Sequence, residues 1–157
     1  MPVGVILADD HAIVREGLAA LLQGAPDIAL LAQAADGAAA WRLIETLRPE
    51  VAILDLAMPH ASGIEVTRRV ATAALDTRVV LLTMHDDAAT ALQAQESGVT
   101  GFVLKDNSFE ELVLAVRTVA AGGTFVTPAV RAKLNALRRS GARPIALSPR
   151  EREVVRL

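Results

Sequence analysis

Residues Val51-Ala52-Ile53-Leu54-Asp55-Leu56-Ala57-Met58-Pro59 decide the fold: four apolar residues in succession run into a carboxylate, and a proline follows shortly after. An apolar run of this length without alternation, closed by turn-forming residues, is the pattern of a strand buried on both faces of a parallel sheet. Four further short runs accompany it, Val3–Ala8 and Ile28–Ala34 upstream, Arg78–Leu82 and Gly101–Leu104 downstream. The segments between them have helical spacing, as with Ile13, Leu18, Leu21 and Leu22, or Leu112, Val113, Val116 and Val119. Strand and helix therefore alternate as (βα)5. Right-handed crossovers turn that alternation into a doubly wound α/β fold, with helices on both faces of a five-stranded parallel sheet of order 2-1-3-4-5.

Helix punctuation supports the division. Asp10, Asp36, Ser62 and Ser108 stand where N-caps are expected, and Gly24, Gly98 and Gly122 where helices should stop. After Gly122-Gly123 the periodicity lapses. Pro128–Arg139 then offers a short basic helix with Val130, Leu134 and Leu137 on one side, so residues 123–146 read as a linker carrying one helix. Leu147–Leu157 opens another helix, with Ser148 as N-cap, Pro149 at the first helical position and Glu151 closing a capping box.

The chain has 157 residues, 52% of them apolar, and no cysteine. Its core must come from Ala, Val, Leu and Ile, and neither a disulfide nor a cysteine-based zinc site is available to brace it, which points to a reducing cytoplasm. The early Asp9-Asp10 pair interrupts the first apolar run too soon for a signal peptide, and no stretch approaches the roughly 18 apolar residues of a membrane span. The net charge of −2 conceals an asymmetry. Residues 1–124 carry 8 basic and 16 acidic side chains, or −8, whereas residues 125–157 carry 8 basic and 2 acidic ones, or +6. The acidic body repels nucleic acid and attracts cations, while the basic tail is compatible with a phosphate backbone or an acidic partner.

Chemistry concentrates at the strand ends. The first run ends in Asp9-Asp10, the third in Asp55, the fourth in Thr83 and the fifth in Lys105. Doubly wound folds bind ligands at the carboxyl ends of their strands, so these groups converge on one crevice. Two carboxylates 4 Å apart repel by about 4 kcal/mol at an effective dielectric of 20, which calls for a compensating cation. Mg2+ suits such a site, because it takes one or two carboxylates and completes its octahedron with water and phosphate oxygens. Asp55, on the central strand between the aspartate pair and the Thr/Lys pair, is then the candidate nucleophile toward phosphorus. No histidine-containing metal spacing is present, and His11, His60 and His85 read as mainly solvent-facing.

The strings Ala8-Asp9-Asp10-His11, Leu54-Asp55-Leu56-Ala57-Met58-Pro59, Leu82-Thr83 and Gly101-Phe102-Val103-Leu104-Lys105-Asp106 together resemble the receiver signature of response regulators, in particular the NarL/FixJ branch with LuxR-type output. The resemblance spans about residues 3–122 and implies a flavodoxin-like receiver fold. It also implies that Asp10, Asp55 and the Ala57 main-chain carbonyl bind Mg2+, with Asp9 acting directly or through water. Asp55 would become an aspartyl phosphate on receiving a phosphoryl group from a sensor histidine kinase. Thr83 and Lys105 would contact the phosphoryl oxygens, and Phe102 would take the place of the aromatic switch residue. Lys105 is followed by Asp106 where many receivers have proline, a mark of the NarL-type variant. Leu147–Leu157 resembles the start of a LuxR-type helix-turn-helix domain, so DNA would be reached only through output residues beyond this sequence, and phosphorylation could drive homodimer formation.

Other classes fit less well. A phosphatase of haloacid-dehalogenase type requires Asp-x-Asp after its first strand, and here the pair is adjacent and the candidate nucleophile is on the third. Nucleotide-binding modules need Gly-x-Gly-x-x-Gly or Gly-x-x-x-x-Gly-Lys, and neither occurs. An interaction domain that keeps the fold but ignores phosphorylation is the remaining alternative.

Overall fold

The computed structural model describes residues 2–139. Strands β1 (Val3–Ala8), β2 (Ile28–Ala34), β3 (Val51–Asp55), β4 (Arg78–Thr83) and β5 (Gly101–Leu104) alternate with helices α1 (Ala12–Gln23), α2 (Gly37–Leu47), α3 (Gly63–Thr72), α4 (Ala88–Ser97) and α5 (Ser108–Ala120). A 3₁₀ turn, Lys105–Asn107, joins β5 to α5, and the chain continues through β6 (Phe125–Val126) into α6 (Pro128–Arg139). All strand pairings are parallel, in the order β2-β1-β3-β4-β5-β6. The expected order 2-1-3-4-5 is present, but the sheet has six strands rather than five. The extra strand is two residues long, below the length at which any periodicity exists, and it forms only because β5 supplies its hydrogen-bonding partner.

Residue parity sorts the strands between two apolar layers. Ile6, Ala8, Ala52, Leu54, Val79, Leu81 and Phe102 face one cluster, which is covered by α2, α3, α4 and α6. Val5, Leu7, Val51, Ile53, Val80, Leu82 and Val103 face the other, covered by α1 and α5. No helix among the described residues is long and apolar enough to cross a membrane.

Two of the expected caps form. Asp36 accepts the Ala39 N–H at 2.7 Å, and Ser62 and Glu65 make a reciprocal capping box. Asp10 and Ser108 do not cap: the α1 cap position is His11, and the Ser108 hydroxyl donates instead to the Lys105 carbonyl at 2.8 Å, tying α5 to the preceding turn. Gly63 lets α3 start hard against β3, since a Cβ there would lie 2.6 Å from both the Asp55 carbonyl oxygen and a Leu81 methyl. The segment expected as a linker is packed onto the body as far as residue 139, with Val126, Val130 and Leu134 buried in the first cluster. The expected opening of a helix-turn-helix at Leu147–Leu157 lies outside the described residues.

Candidate functional site

Sheet register brings the polar strand ends together. Ala8 pairs with Leu54, Asp55 with Leu82 and Thr83 with Leu104, so Asp9, Asp55, Thr83 and Lys105 occupy successive rungs at one rim. Parity then divides them. Asp9 continues the Val5–Leu7 side and Asp55 the Val51–Ile53 side, both toward α1 and α5, whereas Thr83 continues the Val79–Leu81 side shared by Phe102.

Lys105 is the hub. Its Nζ donates to Asp55 Oδ2 at 2.9 Å and to Asp9 Oδ1 at 3.3 Å. Asp9 is fully buried, fixed by the His11 N–H donating to Oδ1 at 2.8 Å and by Arg15 Nη1 donating to its main-chain carbonyl. Asp9 Oδ2 lies 3.1 Å from Lys105 Nζ, close enough for charge attraction, yet it receives no hydrogen bond. One ammonium thus serves two buried carboxylates and leaves a buried anionic oxygen without a donor, a costly arrangement that a divalent cation would complete. Asp10 is more open and, among the described residues, pairs with His11, whose Nδ1 lies 3.3 Å from an oxygen of Asp9, 3.3 Å from an oxygen of Asp10 and 3.3 Å from Lys105 Nζ. Single ligand atoms of Asp9, Asp10, His11 and Asp55 lie within 4.8 Å of one another, a spacing that one metal ion could bridge. The oxygen-dominated donor set fits a hard ion such as Mg2+.

Burial pushes the Asp55 carboxyl up to about 6, with the charge of Asp9 adding to the effect and Lys105 opposing it. For Lys105, burial would lower the pKa, but hydrogen bonds to Asp55 and Asp9 outweigh it and hold the ammonium above its usual range. Asp55 therefore remains ionised at neutral pH while carrying a strong electrostatic demand for positive charge.

His11, Asp55, Ala57, Thr83, His85 and Lys105 are among the residues lining one cleft of about 70 Å3. The Ala57 N–H makes a long 3.3 Å contact to Asp55 Oδ1. The buried Thr83 hydroxyl accepts the His85 N–H at 2.9 Å. Phe102 does not line the cleft; it lies fully buried below it, on the same face of the sheet as Thr83. His11, His60 and His85 are exposed, as expected, but the His11 ring also comes within 3.3 Å of Lys105 Nζ. The position of His11 directly after the aspartate pair was the available signal, whereas its approach to Lys105 depends on the turn of the chain into α1.

Residues 5–117 match the family model described as the response regulator receiver domain. The probable transcriptional regulatory protein NarL of Mycobacterium tuberculosis is 41% identical over 155 residues, 98% of this chain and 72% of the relative. The oxygen regulatory protein NreC of Staphylococcus epidermidis is 42% identical over 123 residues, 78% of this chain but only 56% of its own length. Among solved structures, a LuxR-family two-component response regulator from Aurantimonas superposes with a TM-score of 0.84 at 35% identity, covering 88% of this chain and 99% of that one. A match of this extent, on a sheet whose carboxyl rim gathers two aspartates, a threonine and a lysine, means that the chain belongs to the receiver family of two-component response regulators, in its NarL/NreC branch.

Proposed function

We propose that Asp55 is the phosphoacceptor, that Asp10, Asp55 and the Ala57 carbonyl bind Mg2+ with Asp9 assisting directly or through water, and that Lys105 and Thr83 bind the transferred group. The observation that carries this reading is the shortage of positive charge: among the described residues, Lys105 is the one ammonium facing buried Asp55 and Asp9, and Asp9 Oδ2 has no donor. When bound, Mg2+ would supply the missing charge and shield the phosphoryl oxygens from the carboxylates.

In the transfer, an Asp55 carboxylate oxygen attacks phosphorus in line. A new O–P bond forms as the P–N bond of a kinase phosphohistidine breaks, and the imidazole leaves with that electron pair and takes up a proton. Lys105 already touches the attacking carboxylate and is positioned to follow the developing charge. The chain turns over no separate substrate; its reaction is on its own side chain. The Thr83 hydroxyl, whose oxygen accepts the His85 N–H, would donate its proton in a hydrogen bond to a phosphoryl oxygen. Lys105 already bonds Asp55 before transfer, so the new charge-assisted bond is that of Thr83, about 1.5–3 kcal/mol, a part of the roughly 5.5 kcal/mol that turns a 1:99 equilibrium into 99:1. Phe102, on the same side of the sheet, would repack as Thr83 moves and carry the change to α4, β5 and α5. The partner is a sensor histidine kinase, the setting cytoplasmic, and the output control of transcription through a DNA-binding domain, with homodimer formation as one route to it.

The test is covalent labelling by a small phosphodonor with Mg2+, followed by intact-mass measurement. Wild type should gain one phosphoryl group and Asp55→Asn none; equal labelling of the two proteins would overturn the assignment.

A further inference from the structure

The Ala57 main-chain carbonyl, one of the proposed Mg2+ ligands, has no side chain to aim it, so its place depends on the loop that carries it, residues 56–62. Both ends of that loop are fixed to the sheet and to α3. The Leu56 N–H donates to the Leu82 carbonyl at 2.8 Å, the Gly63 N–H donates to the Leu56 carbonyl at 3.0 Å, and Ser62 closes the capping box of α3. The crest is held from elsewhere. Gly37, the first residue of α2, donates its N–H to the Pro59 carbonyl at 3.1 Å, and a Cβ on Gly37 would collide with the Ala61 carbonyl oxygen and lie 2.7 Å from the Ala61 Cβ. His60, between these two contacts, has a φ of 69°, a left-handed conformation that is uncommon for a residue with a Cβ and persists where the surroundings over-determine it.

The same short connection between β2 and α2 reaches the other half of the site. The Asp9 N–H donates to the carbonyl of Ala34, at the end of β2, at 3.1 Å. Ala34 and Ala61 are buried in one cluster with Ala8 and Leu54, the residues that precede Asp9 and Asp55. Residues 34–37 thus bond to the main chain at both Asp9 and Pro59, although none of the four lines the cleft. Both bonds are backbone to backbone, so the turn ties the strand end that bears the aspartate pair to the loop that bears Ala57. Mg2+ demands near-ideal octahedral geometry at about 2.0–2.1 Å, whereas Ca2+ accepts about 2.3–2.6 Å and irregular ligand sets. A ligand spacing fixed by the backbone therefore matters far more to the smaller ion.

We propose that the turn of residues 34–37 sets the preference of the crevice for Mg2+ over Ca2+, with Gly37 as the positioning residue that seats the loop carrying Ala57. This rests on the metal site proposed above. Gly37 touches none of the proposed ligand atoms; it acts through Pro59 and Ala61. A side chain there would force the backbone of residues 59–61 away from α2, and the Ala57 carbonyl would shift relative to Asp10 and Asp55.

Calorimetric titration of the full 157-residue chain with Mg2+ and, separately, with Ca2+ tests it. Gly37→Ala should weaken Mg2+ binding about tenfold, the lower end for loss of an outer-shell partner, and Ca2+ binding by less than about threefold. Leu22→Ala, a cavity in the buried end of α1, lowers stability without touching the turn and should leave both affinities within about twofold. Ala61→Gly loosens the crest without adding a clash and should weaken Mg2+ selectively by about two- to five-fold, which carries the test if Gly37→Ala does not fold. Equal losses for the two ions would show that Gly37 serves the fold alone, and an unchanged Mg2+ affinity in either folded variant would show that the turn does not set the ligand spacing. Each of those results refutes the proposal and leaves the metal site standing. If wild type binds neither ion, the metal reading fails and the proposal with it.

Discussion

Two ion-pair sites at different places on the fold differ in kind. Arg117 of α5 meets Asp27, just before β2, through two hydrogen bonds of 2.7 and 2.9 Å, and both side chains are about half exposed. Each charge there has one matched partner and water around it. Lys105, with its side chain only 7% exposed, shares its ammonium between Asp55 and Asp9, and leaves a carboxylate oxygen without a donor. The first site is complete and can do little but hold α5 to the sheet; the second is short of positive charge. A buried deficit of this kind lowers stability and is kept where a ligand is expected to relieve it.

Removing the hub should have the largest effect. Lys105→Ala leaves Asp9 and Asp55 buried without a cation, and should destabilise the metal-free protein by about 3–5 kcal/mol in urea denaturation at neutral pH. Mg2+ should recover part of that loss, and an unchanged midpoint would show that the two carboxylates are not under strain.

Asp55→Asn should act in the opposite direction and less strongly. The folded Asp55 pKa of about 6 lies above its ordinary 3.8, so the folded state holds a proton that the unfolded state has released between those values. Stability of wild type therefore falls as pH rises from about 4 through about 6, and the amide lacks this penalty. Above pH 6 and without metal, Asp55→Asn should be more stable than wild type by about 1–3 kcal/mol, and below pH 4 the advantage should vanish. A gain that did not depend on pH would point to packing instead of charge. The same protonation should make apparent Mg2+ affinity fall about tenfold per pH unit below pH 6 in calorimetric titrations, because the metal competes with that proton.

Arg117→Ala should give the smallest change. Its hydrogen bond to Asp27 holds that carboxyl below the usual range, so the stability it contributes is present above the unfolded carboxylate pKa and lost as pH falls through the folded one. The difference between variant and wild type should be slight at neutral pH, fade in acid, and leave phosphorylation unaltered.

How much of this could be read from the residues follows from where the information sits. Strands buried on both faces leave continuous apolar runs, so their carboxyl ends, and with them Asp9, Asp10, Asp55, Thr83 and Lys105, were legible. Strand order then brought the same residues to one rim. Phe125–Val126 carries no pattern of its own and becomes a strand only through pairing with β5. The Val130 and Leu134 spacing announced a helix with one apolar side, but not that α4 and the Phe102 cluster would receive it; the Lys133–Asp86 pair joins residues far apart in the chain. Asp10 and Ser108 had the right chemistry for caps, but α1 starts one residue later, with no side-chain cap bond, and Ser108 bonds elsewhere. His11 takes the cap position of α1, and the 3₁₀ turn after Lys105 claims the Ser108 hydroxyl. His11 itself was visible beside the aspartate pair, but only three-dimensional folding brings its ring within 3.3 Å of Lys105.

The most direct measurement locates the acyl phosphate itself. After labelling with a small phosphodonor and Mg2+, borohydride reduces an aspartyl phosphate to homoserine, which peptide mass spectrometry assigns to a position. Homoserine is expected at residue 55, dependent on Mg2+, and nowhere else. Homoserine at Asp9 or Asp10 with residue 55 still aspartate would contradict it.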